Sequence, residues 1–389
     1  MTTEPAAAPA TPRRPGLVRR LFVGLLRIVA ALALALVLAE VAVRVAGLRI
    51  PPWIKPENHN LLLKPDEDKF PGVHTMLRPG ASATRHYPGL EPDQGRDVVY
   101  QINRLGFRDR EDVQVAKPEG SYRIVTIGDS VTYGTGVDLD QTIAKHLERE
   151  LSERLPGVAF EVLNCGVPGT NTGQQVALFR HKGVKFEPDL VLLVTTIVDA
   201  SGHGVQNVLP KEKPWQVEWI ERLGLTTGVY EHDRLTDAQK LQVTLRQNSA
   251  LADLVCHHLY RSLYWDVLVH NYRATWVPDG PGVTMIRRSL GQLDELTSRR
   301  DMRLHVGMYP FLSGLQDSYP FGDEVQQMAG LCAERELPFH DLLEPLKGYP
   351  PVALQAHRHD RHPSGRANGL VVDWLVERLL PDIREDLGR

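Results

Sequence analysis

Three short apolar runs, each followed by a turn of small and polar residues, constrain this chain most. Arg123-Ile124-Val125-Thr126-Ile127 leads into Gly128-Asp129-Ser130, and Phe160-Glu161-Val162-Leu163-Asn164 leads into Gly166-Val167-Pro168-Gly169-Thr170-Asn171. The third, Asp189 to Thr195, is apolar almost throughout. A strand that is apolar on both faces belongs inside a parallel sheet covered by helices. Between the first two runs, Ile143, Leu147, Leu151 and Leu155 recur every fourth residue and predict a helix over about 140–155. Further strands are expected at Leu304–Tyr309 and, shorter, near Pro338–Asp341. A C-terminal helix is expected from about Ser364 to Leu380, with Leu370, Val371, Trp374, Leu375 and Leu379 on one side. This alternation predicts an α/β fold with a doubly wound, mostly parallel sheet in three layers, flavodoxin-like in kind.

The N-terminal region is of another character. Residues 1–20 are Ala/Pro-rich and carry Arg13, Arg14, Arg19 and Arg20. Leu21 to Leu48 is overwhelmingly apolar, interrupted by Arg27, Glu40 and Arg44. The uncharged stretch Ile28–Ala39 falls short of the roughly twenty residues a helix needs to cross a bilayer. The flanks supply that length if Arg27 and Arg44 reach toward opposite interfaces. The favoured reading is a signal-anchor helix over 21–48. A cleaved signal peptide and an interfacial or soluble helix are the alternatives, the former weakened by the lack of an Ala-x-Ala site before a polar mature start. Arginines ahead of the span predict a cytoplasmic N-terminus and a body that is periplasmic or extracellular.

Residues 49–120 read as a linker and small lead-in: 49–95 is rich in Pro, Gly and His, and 98–108 has the character of a strand and turn. The main domain is expected over 121–384. Within it, about 200–281 is an insertion without strand alternation that carries Trp215, Trp219, Trp265 and Trp276. Ser249 to Tyr272 is a helix by expectation. The insertion reads either as a helical subdomain packed on the sheet or as a cap contributing an aromatic or apolar acyl pocket.

With 45 basic and 48 acidic residues the net charge is −3, which leaves no basic footprint for nucleic acid. Cys165, Cys256 and Cys332 are far apart and fit neither a disulfide framework nor a zinc site. Gly128 to Gly136 matches neither phosphate-binding glycine pattern. The run His357-Arg358-His359-Asp360-Arg361-His362 invites a metal reading, but its aspartate comes one position early for His-x-His-x-Asp-His.

A serine leaving a buried strand beside glycines is how α/β hydrolytic folds present a nucleophile. Far downstream, Asp360-Arg361-His362-Pro363 offers a base and a carboxylate to orient it. Ile127-Gly128-Asp129-Ser130, Gly166-Val167-Pro168-Gly169, the aspartate after the third strand and Asp360-x-His362-Pro363 occur in that order. Together they resemble the successive blocks of the SGNH/GDSL hydrolase superfamily, over about 121–384. Asn103-Arg104-Leu105-Gly106-Phe107-Arg108 and the N-terminal apolar segment resemble its membrane-tethered bacterial members.

The resemblance implies Ser130 as nucleophile, His362 as base, Asp360 as its partner, and oxyanion donors at the backbone N–H of Ser130 and Gly169. It implies neither metal nor cofactor. The third block usually reads Gly-x-Asn-Asp; here it is Thr196-Ile197-Val198-Asp199, so the asparagine donor is missing. Thr195, Thr196 and Asn171 are candidates to replace it. The expected function is a membrane-anchored serine esterase or acyltransferase acting through an acyl-enzyme on an O-acylated lipid, glycan or metabolite. The alternative is a non-catalytic or weakly active ligand-binding member of the same fold, because of Val198. Acyl group, acceptor and oligomeric state are beyond the sequence.

Overall fold

The computed structural model describes residues 17–48, 53–55, 61–66, 68–87, 95–201, 215–223, 229–231, 235–315, 318–357 and 360–388. Five parallel strands form the central sheet: β1 (Ser121–Gly128), β2 (Ala159–Asn164), β3 (Leu190–Thr196), β4 (Arg303–Tyr309) and β5 (Phe339–Asp341). Their order across the sheet is β2-β1-β3-β4-β5, the flavodoxin-like winding expected of the sequence pattern. Every residue of β3 is buried, because the strand is central and covered on both faces. Full burial of one such leucine stabilises the fold by roughly 2 kcal/mol.

The principal helices are α1 (Leu17–Val45), α2 (Ile143–Arg154), α3 (Thr172–His181), α4 (Asp237–Asn248), α5 (Ala250–Thr275), α6 (Pro281–Ser298), α7 (Gly322–Ala333) and α8 (Gly365–Asp386). Alternate strand residues separate into two cores, as the pleat dictates. Val125, Ile127, Val191 and Leu193 face Val176 and Phe179 of α3, Ile286 and Leu290 of α6 and Met328 of α7. Ile124, Val162, Leu192 and Val194 face Ile143, Leu147 and Leu151 of α2 and Val371, Leu375 and Leu379 of α8.

β1 connects outward to β2, while β2 crosses back over β1 to reach β3. The gap between the carboxyl ends of β1 and β3 is therefore a topological switch point, where open α/β sheets bind ligands.

The lead-in packs directly on this end of the sheet. Its antiparallel pair, Ser82–Tyr87 with Arg96–Gln101, buries Tyr87, Val98 and Tyr100 against Tyr133, Val167 and Leu178. Arg108, almost fully buried, donates to the carbonyls of Tyr133, Gly134 and Val137 and lies over the Tyr100 ring at 4.4 Å. It thereby holds the loop that follows Ser130.

In the insertion, the helix Trp215–Leu223 and α4 pack on α5. Arg246 of α4 and Asp253 of α5 form a fully buried ion pair at 2.6 Å. α1 is the one helix among the described residues long and apolar enough to cross a membrane. Leu21, Phe22, Leu32 and Leu36 along it are exposed.

Candidate active site

Ser130 stands where β1 ends. Gly128 brings the strand close to its neighbour: a Cβ there would meet Thr132 Oγ1 at 2.1 Å and the Val194 carbonyl at 2.6 Å. Asp129 then caps a one-turn helix, Ser130–Tyr133, by accepting from the Val131 N–H at 2.8 Å. The Ser130 N–H occupies the first helical position, which has no intrahelical acceptor. The turn after β2 abuts this helix, since the Val167 N–H donates to the Gly128 carbonyl at 3.0 Å.

Asp360 and His362 come from a short strand, Asp360–Pro363, paired antiparallel with Gln355–His357. The strand brings both side chains to one side, because residues two apart share a face. His362 Nδ1 lies 2.5 Å from Asp360 Oδ1, and the His362 backbone N–H donates to the same oxygen at 3.1 Å. His362 Nε2 lies 2.8 Å from Ser130 Oγ. A carboxylate only accepts, so Nδ1 carries the proton of the neutral ring and Nε2 is left to accept from the serine hydroxyl. Asp360 is buried, whereas His362 is 31% exposed at its side chain and faces the cavity. The three residues singled out in the sequence thus converge in one hydrogen-bonded chain.

Of the other expected groups, Thr196 lines the cavity, but its hydroxyl lies 3.0 Å from Asp129 Oδ2 and 3.3 Å from Asp199 Oδ1 and donates to this carboxylate pair. Asn171 is engaged elsewhere. Its oxygen accepts from the Gln174 N–H as the cap of α3, its amide donates to the Ser201 carbonyl, and it lies outside the cavity lining. Thr195 Oγ1 donates to the Gly307 carbonyl. Val198 lines the cavity and brings no side-chain donor. Gly169 lies in the exposed turn after β2 at φ +75°, a conformation that favours glycine. It too lies outside the residues lining the cavity.

Asp129 and Asp199 are buried, and burial pushes both carboxyls above the usual carboxylate range, Asp199 more so because of the neighbouring Asp129 charge. Gln175 Nε2 donates to Asp199 Oδ2 at 3.2 Å. This buried group lies directly beneath the Ser130 turn.

The cavity over Ser130 and His362 has a volume of about 440 Å³. One wall comes from α5, which presents Tyr260, Tyr264, Leu268 and Tyr272 at four-residue spacing. Tyr309, Phe311 and Leu312 also line the cavity, the Phe311 ring 6.0 Å from that of Tyr272, and Arg361 lies 5.7 Å from the Phe311 ring centre. Arg85 of the lead-in contributes to the same cavity. The tyrosine row and Arg85 are the residues the sequence reading missed. The four-residue spacing of the tyrosines was the available signal; nothing local marked Arg85. Arg358 and His359 of the histidine-rich run lie outside the described residues.

No family model matches the chain, and no curated protein does. Solved structures do resemble it. TesA is 12% identical, with 67% of this chain and 98% of that chain covered, at a TM-score of 0.40. A lipase/acylhydrolase from Enterococcus faecalis is 15% identical, over 66% and 95%, at 0.37. The acetylxylan esterase Axe2 from Geobacillus stearothermophilus, as a catalytic mutant, is 16% identical, over 66% and 94%, at 0.38.

Proposed function

We propose that this chain is a membrane-anchored serine ester hydrolase that works through an acyl-enzyme. The observation that carries the reading is the unbroken chain from Ser130 Oγ through His362 to Asp360 beside a cavity open to a ligand. In this reading Ser130 Oγ attacks the ester carbonyl while His362 Nε2 takes its proton. Asp360 holds the imidazole in the required tautomer and stabilises the imidazolium. The Ser130 N–H, at the cavity wall, donates to the oxyanion. His362 returns its proton to the departing alkoxide, leaving the acyl group on Ser130. Water, or an acceptor alcohol in the transferase variant, then attacks with His362 again as base.

The tyrosine wall and Phe311 suit an acyl chain or a sugar ring, so an O-acylated lipid, glycan or metabolite is the substrate class. The exposed apolar surface of α1 supports its insertion in a bilayer. Arg19 and Arg20 at its start favour a catalytic domain on the periplasmic or extracellular side.

One observation favours a second reading, a ligand-binding protein of weak activity. Val198 stands in the cavity where the resemblance implies an asparagine, and one preorganised donor is worth about 10²–10³ in rate. Turnover of p-nitrophenyl acetate by the full-length protein in detergent decides between them. Hydrolysis that disappears in Ser130→Ala, with an initial burst of nitrophenolate, supports the enzyme; a rate equal in parent and variant overturns it. Adding glycerol as acceptor separates the two fates of the acyl group, since a transferase forms the glyceryl ester.

A further inference from the structure

α1 does not end in isolation. Glu40, near its C-terminal end, accepts from the backbone N–H groups of Ala250 at 2.9 Å and Leu251 at 2.8 Å, and from Ser249 Oγ at 2.8 Å. These are the unpaired donors at the N-terminus of α5, which a carboxylate satisfies and whose dipole it complements. Arg44 closes the clamp, donating to Glu40 at 2.6 Å and to the Asn248 carbonyl at 3.0 Å. Two of the three charges that interrupt the apolar segment, Glu40 and Arg44, therefore fasten α1 to the helix that carries the tyrosine wall.

Among the described residues outside α1, the insertion also carries most of the exposed large apolar side chains. Trp215, Trp219 and Leu223 recur at four-residue spacing and are 62%, 53% and 41% exposed. Leu241 and Leu245 on α4, and Val255 and Leu259 on α5, repeat the spacing and are also exposed. Elsewhere among the described residues beyond α1 and Leu48, the exposed large apolar side chains are isolated valines at 99, 115, 277 and 352. Tryptophan with leucine on short amphipathic helices is the composition that settles at a bilayer interface. Leu259 is followed directly by Tyr260, so the exposed surface adjoins the cavity wall. Along α5 the cavity begins about 15 Å from the clamp and ends about 33 Å from it, at 1.5 Å per residue.

We propose that the insertion is a membrane-facing platform, locked to α1 by Glu40 and Arg44, which rests on the lipid surface through Trp215, Trp219, Leu241 and Leu245 and presents the Ser130 cavity to amphiphilic esters in the bilayer. This rests on the reading of α1 as an anchor and of Ser130 as a nucleophile, and it narrows the substrate to esters presented by a membrane. A lipid surface is the occupant because the clamp joins α5, on which Val255 and Leu259 are exposed, to α1, which is long and apolar enough to cross a bilayer.

The test uses the full-length protein in vesicles of phosphatidylcholine and phosphatidylglycerol whose acyl chains carry bromine. Brominated chains quench tryptophan that reaches them. Replacing both exposed tryptophans, Trp215→Phe with Trp219→Phe, is expected to remove about half or more of the quenching, whereas replacing the buried Trp276 by Phe removes little. In unbrominated vesicles, Trp215→Ser with Trp219→Ser is expected to lower turnover of a long-chain ester held in the bilayer at least about fivefold, with p-nitrophenyl acetate unaffected. Glu40→Gln, which weakens the clamp without touching the cavity, is expected to lower the same ratio.

Unchanged quenching in the Trp215/Trp219 variant, with the protein still floating with vesicles, overturns the platform and leaves the anchor standing. An unchanged ratio of the two ester activities also overturns it. A parent protein that fails to float sinks anchor and platform together. If neither ester is hydrolysed, the reading of Ser130 falls, and the quenching result alone decides the platform.

Discussion

The carboxyl edge of the sheet and the insertion above it are built on opposite principles. At the edge, Ser130, His362 and Asp360 are held by strand ends, a helix cap and a strand pair, with hydrogen bonds of 2.5 to 3.1 Å. The insertion instead lays one long helix across the opening and offers the cavity rings and aliphatic chains. Rigid elements fix reacting atoms to within fractions of an ångström, which proton transfer requires. An appended helix is free to vary in the side chains it presents. In the proposed reading, chemistry resides in the first region and selection in the second.

The largest effect tests the edge. Asp360→Asn should leave the fold intact but allow the wrong imidazole tautomer, lowering kcat by about 10³ or more. Steady-state hydrolysis measures it, and a change below about tenfold would separate Asp360 from the proton path.

The insertion should respond differently. Tyr264→Ala, alone or with Tyr260→Ala, removes a ring from the wall where the two stack at 4.9 Å. Its kcat/KM should fall about tenfold for a long-chain ester, the loss of roughly 1.4 kcal/mol of contact, and within about twofold for an acetyl ester. Equal losses on both esters would erase the division between the two regions.

The smallest effect lies beneath the serine turn. Burial raises the carboxyl of Asp199 above its unfolded value, so its contribution to stability is fully present at low pH and is lost as pH rises through the folded value. Asp199→Asn should therefore flatten the decline of Tm between mildly acidic and neutral pH, read by thermal unfolding across a pH series. A steeper decline in the variant would contradict the sign.

The sheet was legible because parallel strands buried on both faces leave continuous apolar runs, Leu190–Thr196 most plainly. Ser130, Asp360 and His362 were legible because each sits beside a local mark: glycines and an aspartate around the serine, and a two-residue spacing for the pair. Asn171 carries the sequence of a capping box with Gln174; its side-chain oxygen serves that helix start and its amide donates to the Ser201 carbonyl. The Thr196 hydroxyl faces Asp129 and Asp199, and nothing in the sequence marks those partners. Arg85 and Arg108 fall in residues that read as linker and lead-in; only tertiary packing shows one in the cavity and the other buried under the serine loop. Glu40 read as an interruption of an apolar helix, because its partners lie some two hundred residues away.

The central claim is that Ser130 is a nucleophile activated by His362. Covalent labelling by a fluorophosphonate, located by mass spectrometry on the full-length protein in detergent, tests it most directly. One phosphonyl group per chain is expected, attached to Ser130, absent in Ser130→Ala and strongly slowed in His362→Ala. A parent that takes up no label, or a label that persists unchanged in Ser130→Ala, would contradict it.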